Sequence, residues 1–165
     1  MNLFVLSLDP DEAAEMACDQ HVVKMPTETA QMLSTVVRAQ GIAVGYRPSH
    51  AKHPCTLWLG ASKANFDWAL RHGFALCDEY ERRYHRTHGA RKTIFSVSEV
   101  AERLVFEGVE RTPFALAMPE EYRGDDPVEA YRRYYHGDKA KFARWVKNRP
   151  PPGWWKGQDG HSGVG

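Results

Sequence analysis

Apolar positions recur at helical spacing along most of the chain. Residues 1–8 (MNLFVLSL) form a short apolar run, a strand or an extended lead-in. Asp9-Pro10 reads as an N-cap followed by proline at the first helical position. A helix is predicted from Pro10 through Met25, and a second stretch, Thr27–Ala39, runs on to Gly41. Pro26 either kinks one helix or separates two. Gly41, Gly45, Pro48 and Pro54 mark a loop over 41–56. From Leu57 to about His85, Trp58, Phe66, Trp68, Leu70, Phe74, Leu76, Cys77 and Tyr80 give wide apolar coverage of one long helix, with Gly73 inside it. Ser96-x-x-Glu99 has capping-box spacing and predicts a short helix to about Glu107. Residues 108–126 read as irregular. Asp126-Pro127 repeats the cap-plus-proline signal and opens a helix to about Lys147, stopped by Arg149–Pro152. Four glycines in residues 157–165 predict a mobile tail. The expected fold is all-α: one compact helical domain over 1–156, with at most one short N-terminal strand.

Length and composition agree with that picture. The 165 residues suit one domain, and 42% hydrophobic with 26% charged residues is a globular profile. No run approaches the ~20 apolar residues of a membrane helix. Acids follow Leu8 at once and no basic segment precedes it, so no secretion signal is read. The expected location is the cytoplasm. Cys18, Cys55 and Cys77 are an odd set without a C-x-x-C pair, which argues for reduced thiols in or near the core.

The net charge of +1 hides an asymmetry. Residues 1–31 sum to −5 and residues 132–156 to +7. The basic window also carries Tyr134, Tyr135, Phe142, Trp145, Trp154 and Trp155, with Tyr131 just before it. Cations interleaved with flat rings suit phosphates and unstacked bases; they equally suit an amphipathic helix with a solvated basic face.

The densest polar cluster is Cys18-Asp19-Gln20-His21, followed by Lys24 and Glu28. On a helix that continues through Pro26, His21, Lys24 and Glu28 share one face. A carboxylate beside an amine and an imidazole could act as a general base or stabilise a developing cation. The same spacing also fits a plain i,i+4 ion pair. His50-x-x-His53-Pro54-Cys55 invites a zinc reading, but no second ligand pair supports it, and a loop at a pocket edge is the simpler reading. No metal or cofactor is expected. The phosphate-loop, dinucleotide and nucleophile-elbow motifs are absent from the sequence.

Three anchors in order give a family resemblance. Asp19-Gln20-His21 with Glu28 seven residues after the histidine, Glu121-Tyr122-Arg123-Gly124-Asp125, and Arg149-Pro150 followed by Trp154-Trp155-Lys156-Gly157 together resemble the phage-type pyrimidine-dimer DNA glycosylases, the endonuclease V family. The resemblance implies an endonuclease-V-like helical fold, a monomer, and double-stranded DNA with a damaged or modified pyrimidine as substrate. It implies an N-terminal α-amine as nucleophile, with Glu28 stabilising the cationic intermediate and moving protons. Gln20 and His21 would stand at the pocket wall with Asp19, His53 and Cys55 near it. Lys141, Arg149, Trp154 and Lys156 would grip distorted DNA, and Arg82, Arg83, Arg123 and Trp155 are further candidate DNA contacts. Asn2 is too bulky for removal of the initiator methionine, so the amine would be that of Met1. Aligned on Leu3, extra residues precede Asp19, an offset that would carry the amine off the pocket. Lys24 is then the substitute amine. Thr27 and Thr29 flank Glu28 where the family has arginines. Two rivals accompany this reading: group transfer onto a modified pyrimidine in phage DNA with Glu28 as base and no imine, and non-catalytic binding of distorted DNA.

Overall fold

Three Xaa-Pro steps start three of the helices. In the computed structural model, which describes residues 1–157, the Asp9 carboxylate accepts from the amides of Asp11 and Glu12 and opens α1 (Pro10–Met16). His53 opens α3 (Pro54–Ala61), its imidazole accepting from the Cys55 amide. Asp126 opens α6 (Pro127–Tyr134) through the amides of Val128 and Glu129. Proline suits each first helical position because its missing N–H would find no partner there, and each side-chain cap contributes about 1 kcal/mol.

The remaining helices are α2 (Asp19–Ala39), α4 (Lys63–Tyr84) and α5 (Arg91–Val100). No strand forms among the described residues; an isolated bridge joins Ser62 to Gly108. The fold is therefore all-α. α2 and α4 pack on each other at the centre, with α1 and α3 against α4, α3 also against α2, and α5 against both α2 and α4. Gly73 gives α4 its close approach to its neighbours. A Cβ there would lie 3.2 Å from both Thr29 of α2 and Ile94 of α5. The helix propensity lost at that glycine accompanies a tight three-helix contact.

Several boundaries differ from the pattern-based ones. The helix expected over 10–25 is broken at Ala17–Cys18, where the backbone is extended and the Asp19 amide donates to the Arg144 carbonyl at 2.8 Å. α2 is uninterrupted at Pro26, so the proline does not separate two helices. The helix expected from 57 to 85 is split at Ser62, whose hydroxyl caps α4 while the Gly108 and Val109 carbonyls accept from its first amides. Ser96 is inside α5 rather than capping it; its hydroxyl bonds back to the Lys92 carbonyl. The last α-helix stops at Tyr134 and widens into a π turn over Tyr135–Lys139 instead of reaching Lys147.

The N-terminal segment is core. Leu3, Phe4, Val5 and Leu6 are all buried. Asn2 folds it back: its side-chain oxygen accepts from the amides of Leu3 and Phe4, and its amide donates to the Ala117 carbonyl at 2.7 Å. Phe4 adopts a left-handed φ of 47°, a strained conformation for a bulky residue. Except for Gly157, the predicted tail lies outside the described residues.

Candidate active site

The turn at Phe4 brings the chain start onto α2. The Met1 amine lies 3.9 Å from Glu28 Oε2, and Lys24 Nζ lies 3.9 Å from Glu28 Oε1. Glu28 thus stands between two amines, with its side chain 16% exposed. The offset expected to carry the amine away is absorbed by α1 and by the turn at Phe4. Around this trio is a cavity of about 230 Å³ lined by Met1, Asn2, Phe4, Gln20, His21, Lys24, Met25, Glu28, Tyr134, Lys139 and Phe142. Its long wall is one face of α2, continuous because the helix passes through Pro26. Its other wall comes from the end of α6 and the π turn, a local geometry often found at functional sites.

His21 is held rigidly and kept neutral. Its ring stacks on Phe4 at 4.1 Å, and its Nδ1 is 2.6 Å from the Tyr135 hydroxyl. Burial first, then the positive charges of Lys139 and Lys24, push its pKa down to about 3. It offers the pocket an uncharged hydrogen-bonding ring. The Tyr135 hydroxyl also accepts from the Cys18 amide, which locks the π turn to the start of α2.

Not every expected site residue meets at this pocket. Gln20, His21, Lys24, Glu28 and Met1 do. Asp19 instead faces an internal ion network: its carboxylate accepts from Arg83 at 3.0 Å and from the Val146 amide at 2.8 Å. Arg83, expected on a DNA-facing surface, has no exposed side-chain surface. Its guanidinium is consumed by Asp19, Glu79 and the Glu15 carbonyl. Arg149 is held by both oxygens of Glu79, at 2.8 and 2.9 Å. With Arg82 it lines a separate, larger cleft of about 700 Å³ that also carries Asp11, Glu15, Asp67 and Asp78. That cleft's many carboxylates make it a poor seat for phosphates.

His53 and Cys55 lie behind the amine rather than in the cavity lining. Burial of His53, then the nearby α-amine and His50, lower its pKa against the opposing pull of Glu28. Burial pushes the Cys55 thiol up to about 11, so it is no nucleophile at neutral pH. All three cysteines are buried and free. Arg123 donates to the Met118 carbonyl. Trp154 and Trp155 are half-buried against Tyr135, and Trp155 also stacks on His136 at 4.9 Å. Lys141 and Lys156 are exposed. Among the described residues no group of three or more His, Cys, Asp or Glu side chains is arranged to hold a metal, and no helix is long and apolar enough to cross a membrane.

Six lining residues, Asn2, Phe4, Met25, Tyr134, Lys139 and Phe142, had no site role in the sequence reading. Tyr134, Lys139 and Phe142 lay in the basic, aromatic-rich window without individual roles. Phe4 read only as an apolar lead-in, because a left-handed φ at phenylalanine leaves no trace in hydrophobic pattern.

Comparison with known proteins bears on this half of the molecule in particular. No curated protein and no solved structure matches the chain. A family model described as pyrimidine dimer DNA glycosylase matches residues 1–92, a span that holds Met1, Gln20, His21, Lys24 and Glu28 but ends before the π turn. With more than half of its length matched, and with the amine and carboxylate inside the matched part, the chain belongs to the pyrimidine dimer DNA glycosylase family.

Proposed function

We propose that this protein excises a damaged or modified pyrimidine from double-stranded DNA and then nicks the resulting abasic strand, with the Met1 amine as nucleophile. The observation that carries this reading is the enclosed pairing of that amine with Glu28 at 3.9 Å. In the reaction, the amine nitrogen forms a bond to sugar C1′ as the bond from C1′ to the base breaks and its electron pair leaves with the base. Glu28 accepts the proton the amine gives up. The same carboxylate faces the cationic sugar that develops at C1′ and lowers its energy electrostatically. Sugar ring opening returns the proton from Glu28 to the ring oxygen and leaves an imine. Glu28, again a carboxylate, takes a C2′ proton, a C2′–C3′ double bond forms, and the 3′ phosphate departs with the C3′–O electron pair.

Lys24 is the weaker candidate for nucleophile. Its side chain is 63% exposed, whereas the Met1 side chain is 4% exposed and anchors its amine at the cavity beside Glu28. Group transfer without an imine drew its support from an amine set back from the pocket, and the 3.9 Å approach to Glu28 removes that support. Exposed Lys141 and Lys156, beside the aromatic C-terminal segment, would meet the DNA backbone, and the protein would act as a monomer.

Glu28→Gln tests the assignment. Base release from ultraviolet-irradiated duplex DNA should fall about 10²- to 10⁴-fold while affinity for that DNA is kept. Unchanged base release would remove Glu28 from the chemistry.

A further inference from the structure

Lys139 is a third cation of the pocket lining, beside the Met1 amine and Lys24, and nothing in the amine–Glu28 pairing uses it. Its Nζ lies 4.8 Å from the Tyr134 ring centroid, 5.6 Å from Phe4 and 5.7 Å from Phe142. No carboxylate pairs with it among the described residues. Its neighbour Asp138, the nearest acid in sequence, accepts instead from the Tyr122 hydroxyl at 2.8 Å. Three ring faces thus hold an ammonium where the other lining cations, Met1 and Lys24, are both occupied by Glu28.

The backbone that carries Lys139 is fixed from outside the pocket. The π turn has Gly137 at its centre, where a Cβ would collide with the Tyr122 ring. Tyr122 is anchored in turn by its carbonyl, which accepts two bonds from the Arg133 guanidinium. The Glu121–Asp125 segment therefore works as a brace that points Lys139 inward, rather than as a DNA contact.

Pyrimidine excision develops two charges. A positive charge grows at the sugar, and Glu28 and the amine lie together to meet it. A negative charge grows on the departing base, spread from its ring nitrogen onto its carbonyl oxygens. Tyr134 and Phe142, the partly exposed rings of the lining, flank the space in which Lys139 would meet an extruded base. We infer that Lys139 is the cation that stabilises the departing pyrimidine anion. The electron pair of the broken bond ends on the base, the ammonium lowers its energy there, and water supplies the proton that neutralises it. This inference rests on the proposed glycosylase reaction.

Two substrates separate this role from others. Irradiated duplex DNA requires expulsion of a base. A duplex with a preformed abasic site has no base to expel, yet still forms an imine that borohydride traps. For Lys139→Met, base release from irradiated duplex is expected to fall about 100-fold. Borohydride trapping on the abasic duplex should stay within about threefold of the wild-type chain. Equal losses on both substrates would make Lys139 a phosphate contact or a structural residue, and no loss on either would leave it without a role; each result overturns the inference. A borohydride adduct on Lys139 itself would also overturn it, by making that residue the nucleophile. If the wild-type chain traps no abasic DNA, the amine chemistry beneath the inference fails and takes it down too.

Discussion

At the scale of single residues, the pocket sets a carboxylate paired with amines beside a histidine that burial keeps neutral. Glu28 stands between two amines, whereas His21 is sealed between Phe4 and Tyr135 with two lysines nearby. A histidine beside a glutamate invites an acid–base pair, and on sequence spacing that role was open to it. Its pKa of about 3, set first by burial, makes it a fixed neutral wall instead. The consequence for stability has a definite sign. An unfolded imidazole titrates near about 6.5. Between that pH and about 3 the unfolded chain takes up a proton that folded His21 refuses. Stability therefore falls as pH drops through that window. The direct check is nuclear magnetic resonance of the imidazole carbons: the His21 signal should stay flat from pH 8 to pH 5. A midpoint near 6.5 would show a ring free to carry a proton.

At the scale of elements, one ion network ties together the parts that frame the pocket. Asp19 at the start of α2, Glu79 and Arg83 on α4, and Arg149 in the C-terminal segment are linked in series, and Arg83 also reaches the Glu15 carbonyl of α1. Burial alone would raise the Glu79 pKa, but hydrogen bonds from Arg149 and Arg83 outweigh it and hold the carboxyl below its usual value. Glu79 therefore adds stability that is present above the unfolded carboxyl pKa of about 4.3 and is lost as pH falls through the folded value. Removing one partner of a buried pair costs about 3–5 kcal/mol. Glu79→Gln should accordingly destabilise the protein by about 3 kcal/mol at pH 7 in urea unfolding, and the gap to the wild-type chain should narrow below about pH 4.3. A gap that stays constant down to pH 3 would deny the network its ionic character. This network holds Arg83 and Arg149, two residues expected to contact DNA, because sequence shows charge but not the acids that burial brings to it.

At the scale of the whole molecule, helical periodicity was enough to identify an all-α fold, and the two Asp-Pro steps located two helix starts to the residue. The interruptions were illegible for a shared reason. The breaks at Ala17–Cys18 and the π turn at Tyr135–Lys139 are imposed by distant partners, Arg144 in one case and Tyr122 in the other. Ser62 did carry a local cap signal, hidden inside a continuous apolar pattern. The site was half legible. The face of α2 with His21, Lys24 and Glu28 followed from spacing, while the walls supplied by Phe4, Tyr134, Lys139 and Phe142 depend on a strained turn and on the packing of chain ends more than a hundred residues apart. That long-range closure is what sets the chain start beside Glu28, and the functional account depends on it most. The decisive measurement is borohydride reduction of the protein on abasic duplex DNA, followed by proteolysis and mass spectrometry of the crosslinked peptide. The account predicts an adduct on the N-terminal peptide at the Met1 amine. An adduct confined to Lys24, or none at all with the DNA still bound, would contradict it.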